Sequence, residues 1–264
     1  MRAEALLGLG ILVYGCGSLP PQDPVEMVSG RGLSGEEYEA YRKIVAEKTV
    51  SPRNLLDMRD ALACLESMIK TRPGDFDVMV LATETASWLA DHAEGAARSS
   101  FAEKAVQYGR EAVKLNGWSG RAQYALAVAL GYYVREEPSR ALAMIPEMEA
   151  AAKAAAGSDE RVDEAGPHRY LALLYAQAPG FPTSVGDVEL AMKHADKAVE
   201  LFPKSPETHI ARAEVLLEDD GEDEAKKELT LAGELLATAP PDERAELQKK
   251  IDEFLAELGE TETP

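Results

Sequence analysis

One spacing constrains this chain more than any other: small residues recur at offsets of four and three inside helical stretches, and each stretch stops at a breaker. The clearest copy is Ala191, Ala195 and Ala198, followed by Pro203. Ala61, Leu65, Met68 and Pro73 repeat it, as do Ala105, Gly109, Ala112 and Gly117, and Ala225, Leu229 and Ala232 make a last copy. Offsets of four and three put these side chains on one helix face, and their small size admits a second helix at close range. A second amphipathic stretch precedes the later copies, over 77–91, 121–135, 167–177 and 206–218. The spacing therefore predicts helix pairs stacked one upon the next, each burying its apolar face only against its neighbours.

Ala191 and Ala225 stand 34 residues apart, the length of one tetratricopeptide unit. The pattern resembles that repeat: His209, Arg212, Ala213, Leu216, Ala225, Leu229 and Ala232 fall on its signature positions, with Arg212 standing where an apolar residue is usual. The long interval from Ala105 to Ala191 leaves room for a degenerate copy. Its second helix is expected over 138–156, with Ala141, Ile145 and Met148 inward and Pro146 kinking it. A leading helix is expected over 36–48, and Ser51-Pro52 reads as a cap followed by proline at the first helical position. Over 242–258, Leu247, Ile251, Phe254, Leu255 and Leu258 share one face, as a terminal capping helix requires. The expected fold is all-α: a tetratricopeptide-like superhelical solenoid over 35–258 with a C-terminal capping helix, no strands, and a frayed tail at 259–264. A content of 45% hydrophobic residues supplies the core that such a stack needs.

The amino terminus reads differently. Ala5 to Tyr14 form an apolar run too short to span a bilayer, behind Arg2 and ahead of Gly15-Cys16. This shape is similar to the leader and lipobox of bacterial lipoproteins, which implies a signal peptide over 1–15 and acylation at Cys16. The alternative is a first buried helix over 5–14. Residues 16–34, with Pro20, Pro21 and Pro24, read as a flexible tether. With Cys16 acylated, Cys64 has no partner for an intrachain disulfide, and its neighbours Leu62 and Leu65 suggest a small buried hydrophobe. The membrane would then be met through lipid alone.

The fourth pair departs from the common spacing. With His168, Leu171, Ala172 and Tyr175 at first-helix positions, the partner helix reaches Ala191 later than a tight turn allows, so the connection is longer than it needs to be. In it, Pro179 ends one helix, Gly180 and Gly186 give backbone freedom, and Asp187 can cap the next. Gly166, Pro167, His168, Arg169 and Tyr175, then Ala178, Pro179, Gly180, Phe181 and Pro182, then Ser184, Gly186 and Asp187, resemble the tetratricopeptide lipoproteins called TatT, the T component associated with TRAP transporters. The resemblance is densest over 166–203. It implies a lipoprotein on the periplasmic side of a bacterial envelope, with the outer membrane favoured by Gly17 after the anchor cysteine. It also implies a periplasmic solute-binding protein as partner, a small organic or hydrophobic ligand, and a homotrimer. The alternative is a general scaffold that binds peptide segments during envelope assembly.

In stacks of this kind the first helix of each pair lines the concave face. Met79, Tyr124, Val128, Tyr132, Arg169 and Leu173 are the groove candidates, together with Thr83, Ile210 and Glu214. One guanidinium among apolar walls suits an organic carboxylate held in a bidentate pair. The competing expectation is that Arg169 pairs with Asp163 or Glu164; for Tyr124 and Tyr132 it is plain core, and Trp88 and Trp118 are expected to pack between repeats.

Catalysis is not expected. His92, His168, His194 and His209 show no metal-ligand spacing, and no phosphate loop or nucleophile elbow is present. The acidic run 218–224 lacks the ligand alternation of a calcium loop and reads as a solvated turn entering a helix. No cofactor or metal site is therefore anticipated. A formal net charge of −19 would repel a polyanion, which removes nucleic acid as a partner.

Overall fold

The computed structural model describes residues 32–261, and the leader, Cys16 and most of the tether lie outside them. The described unit begins at Gly32, where the Leu33 amide donates to Thr71 Oγ1 at 2.9 Å. Eleven α-helices follow among the described residues: α1 Gly35–Lys48, α2 Leu55–Thr71, α3 Phe76–His92, α4 Ala96–Leu115, α5 Gly120–Glu136, α6 Ala141–Ser158, α7 Gly166–Gln177, α8 Val188–Leu201, α9 Pro206–Glu218, α10 Glu222–Leu235 and α11 Arg244–Thr261. No strand occurs among them. None of these helices is long and apolar enough to cross a membrane.

Local chemistry sets the helix starts. Ser34 and Glu37 form a reciprocal capping box on α1, and the side chains of Asn54, Asp75, Ser119 and Asp187 accept from backbone amides at the starts of α2, α3, α5 and α8. The same turn joins one pair to the next at three links, before α3, α5 and α9. Asp75 N donates to Arg72 O, Ser119 N to Asn116 O and Ser205 N to Phe202 O, at 3.1, 3.3 and 3.1 Å.

Packing follows the small-residue stripe. Ala61, Ala105, Ala112, Ala191, Ala195, Ala198, Ala225, Leu229 and Ala232 are fully buried. At Gly109 an added Cβ would stand 3.2 Å from both Leu126 Cα and Thr83 Cγ2, so α4 lies almost against the backbone of α5. Consecutive helices pack on each other, and α3, α5, α7, α9 and α11 also touch in sequence, forming one continuous row. This is an all-α superhelical solenoid of stacked helix pairs. Its last layer closes through Ile251 and Leu258 of α11, packed on Ile210, Ala213, Leu229 and Ala232.

Four expectations change. Ser51-Pro52 does not open α2: it is a cis peptide in the preceding link, and Asn54 is the cap. Trp118 is 90% exposed rather than packed between repeats. The helix α11 runs on to Thr261, past the expected start of fraying at Gly259. The second helix of the degenerate pair divides into a 3-10 turn at Pro138–Arg140 and α6, which carries Pro146 inside it.

Candidate functional site: an inner wall closed at its ends

Two of the groove candidates meet in one cluster. Tyr124 of α5 donates to Asp163 Oδ2 at 2.7 Å. Arg169 of α7 donates to the same oxygen at 2.9 Å and to the Asp163 carbonyl at 2.6 Å, and its other terminal nitrogen lies 3.4 Å from Glu207 of α9. The Arg169 side chain is 15% exposed. Burial alone would weaken its charge; Tyr124, Glu207 and Asp163 outweigh that and hold its pKa above the ordinary value. Burial also raises the Glu207 carboxyl, with Arg169 offsetting only part of the effect and Asp163 and Glu243 adding to it. Arg169 thus meets Asp163, as one reading of the sequence expected, and a ligand carboxylate would have to compete with groups already in place.

The backbone that delivers Asp163 is unusual. Asp163, Glu164 and Ala165 have φ of 49°, 49° and 63°, three non-glycine residues in the left-handed region. Each costs on the order of 1–3 kcal/mol, and strain of this kind concentrates where geometry serves a function. No periodicity announces this turn, so it could not be foreseen from the residues alone.

The other candidates scatter. Tyr132 lies under Arg135, whose guanidinium carbon is 4.8 Å from its ring centroid, and burial raises its phenol pKa, with Asp91 adding to the rise. Val128 and Leu173 are half-buried, on the row formed by α5 and α7. Met79 is buried in the cluster of Val80, Ala112 and Ala122, with Phe76 and Tyr108 against it, and Thr83 and Ile210 are buried as well. These three face core rather than an open groove.

The long connection between α7 and α8 is a built loop. Gly186 N donates to Pro179 O and Asp187 N to Tyr175 O, both at 2.9 Å, and Gly180 bridges Gly186. Thr183 N and Ser184 N both donate to Gly180 O, and Phe181-Pro182 is cis. Asp187 caps α8 by accepting from Leu190 N at 2.9 Å. The product is a loop tip tied by its own hydrogen bonds, with Phe181 92% exposed.

Two further arrangements escaped the sequence. His168 Nδ1 and His194 Nδ1 lie 2.9 Å apart between α7 and α8, although the linear spacing offered no pairing. And the two ends of the stack meet. Arg53, in the α1–α2 link, donates from Nε to Asp242 Oδ2 at 2.8 Å and from a terminal nitrogen to Glu243, while Ser51 Oγ reaches Asp242. These bonds hold the Asp242 carboxyl well below the usual carboxylate range, against the opposing pull of burial. Since Glu243 also acts on Glu207, this clasp borders the Arg169 cluster.

A row of first helices, second helices behind it and one recurrent turn is the fold of tetratricopeptide-repeat proteins. Among solved structures the chain is similar to TTC0263, a thermophilic TPR protein of Thermus thermophilus, at 20% identity and a TM-score of 0.59, over 84% of this chain and 98% of that one. It is also similar to MamA from Desulfovibrio magneticus RS-1, at 17% identity and a TM-score of 0.54, over 78% of this chain and 98% of that one. At these identities the likeness is one of fold. No family model matches the chain, and no curated protein matches it.

Proposed function

We propose that this protein is a binding scaffold that holds a protein partner through its α7–α8 loop and inner wall, as an accessory T component of a TRAP-type uptake system. The observation that carries the reading is the loop. Its backbone is tied by its own hydrogen bonds, its length exceeds what the helix connection needs, and the extra residues hold an aromatic ring in solvent. An exposed aromatic on a backbone tied in this way is the kind of residue that anchors a protein interface. The partner in this reading is a periplasmic solute-binding subunit, with the scaffold fastened to the envelope through an acylated Cys16.

The test is to replace residues 178–187 by a short turn and measure binding to a periplasmic solute-binding subunit of a TRAP-type system. Loss of binding with retained helix content supports the reading; retained binding removes the loop from it. Recovery of outer-membrane assembly factors from cells instead, with no solute-binding subunit, would favour the general assembly scaffold. Incorporation of labelled palmitate tests the anchor separately.

A small organic acid on the inner wall belongs to the same proposal. Arg169 Nε is buried without a hydrogen-bond partner, so a ligand carboxylate that displaces the groups now on Arg169 gains one further donor there. Native mass spectra of the protein and of Arg169→Ala that carry the same bound mass would remove that part.

A further inference from the structure

The end of α3 meets the first turn of α11 at a group of side chains that partner binding does not use. Carboxylate oxygens of Asp91 and Glu246 and a ring nitrogen of His92 all lie within 4.8 Å of one another. The imidazole is already oriented. Its Nδ1 stands 2.9 Å from the Trp88 carbonyl, which can only accept, so Nδ1 carries the proton and donates. The ring stacks on Trp88 with centroids 3.8 Å apart and planes 11° from parallel. In the neutral ring this leaves the Nε2 lone pair for an ion, 3.7 Å from Glu246 Oε2. An imidazole that donates its other nitrogen to a backbone carbonyl is fixed in the tautomer and orientation a metal ligand needs.

Glu246 fits the same purpose, and Asp91 has to turn to do so: Arg135 occupies its Oδ1 at 2.7 Å, and its Oδ2 stands 4.0 Å from the protonated Nδ1 rather than beside Nε2. Arg135 offsets one of the two negative charges, and the C-terminal end of α3 adds partial negative charge where a cation would sit. Two ligands on a tetrahedral ion with bonds of about 2.0–2.2 Å stand about 3.3–3.6 Å apart, so the Nε2 to Glu246 separation needs to close by only a few tenths of an ångström.

We infer that Asp91, His92 and Glu246 form a binding site for one divalent transition-metal ion, Zn2+ by the chemistry of the donors. One imidazole nitrogen and two carboxylate oxygens leave a fourth position to water. Mixed nitrogen and oxygen donors favour zinc over magnesium or calcium, which take oxygen alone. The ion joins α3 to α11, next to the clasp at 51–53 and 242–243.

The experiment titrates Zn2+ alone into the untagged, metal-stripped full chain by calorimetry. One ion is expected to bind per chain with a Kd of about 10 μM or tighter, and His92→Gln and Glu246→Gln are each expected to weaken it at least about tenfold. Circular dichroism of metal-free His92→Gln keeps loss of folding separate from loss of a ligand, and Zn2+ should raise the melting temperature of the parent but not of this variant. In a Trp118→Phe background, Co2+ should quench the remaining Trp88 emission. No binding below about 1 mM, or equal affinity in parent and His92→Gln, overturns the site.

Discussion

The histidine pair between α7 and α8 sets how the protein answers to acid. With the two Nδ1 atoms 2.9 Å apart, one must donate and the other accept, so the contact does not survive protonation of both nitrogens. Burial lowers both pKa values, that of His194 to about 4, with His168 and Lys153 adding to the effect at His194. Folded values below the unfolded one mean that this contribution is complete above about pH 6.5 and is lost as the pH falls towards 4. His209 runs the other way: its hydrogen bond to Glu228 raises its pKa against the pull of burial, so its contribution is complete below about 6.5 and fades as the pH rises through the higher folded value. Melting temperatures should therefore drop between pH 6.5 and 4, and His194→Gln should flatten that drop; an unchanged slope would remove the pair as its cause. At Gly186 an added Cβ would stand 2.0 Å from the Ala178 carbonyl oxygen. Gly186→Ala is expected to cost about 1–3 kcal/mol in urea denaturation through forced backbone movement, and to disturb the loop tip. The sequence spoke at this scale where chemistry is local: Cys64 lies buried beside Leu65, and burial raises its thiol pKa to about 11. It was silent on Asp163 to Ala165, because nothing in those side chains signals a left-handed backbone.

Helix periodicity carries most of what could be read about the elements. The 3.6-residue pattern and the stop at Pro73 or Pro203 are written within one or two turns of chain, and the helices follow them closely. The link before α2 misled because Ser-Pro is a general helix-start signal, while Asn54 and Asp57, three residues apart, form the cap that is used. The α7–α8 loop was legible as excess length, but its internal hydrogen bonds and the outward aim of Phe181 were not. Asp187 ties that loop to α8, so Asp187→Ala should cost about 1 kcal/mol of stability, read as a shifted denaturation midpoint with an unchanged slope. A change in slope would mean that the loop and helix no longer unfold with the rest.

Over the whole molecule, the contacts that matter most join residues far apart in sequence. Arg53 and Asp242 are 189 positions apart, and no pattern within a repeat can anticipate such a meeting. The inner wall was therefore foreseen as an open groove, whereas the clasp and the α3–α11 contact border it. Arg53→Ala removes two charged hydrogen-bond partners and is expected to cost about 1.5–3 kcal/mol. Small-angle scattering of that variant should show a larger radius of gyration than the parent; an identical profile would mean that packing of α11 on α9 and α10 alone keeps the ends together.

A stack whose layers touch only their neighbours unravels from its outermost layers, and those layers exchange their amide hydrogens first. Here the first link and the last helix guard each other. Deuterium uptake at 55–71 and 244–258 should then be nearly as slow as in the middle layers and should accelerate at both places together when Arg53 is removed, so that the protein opens as one body rather than peeling from either end.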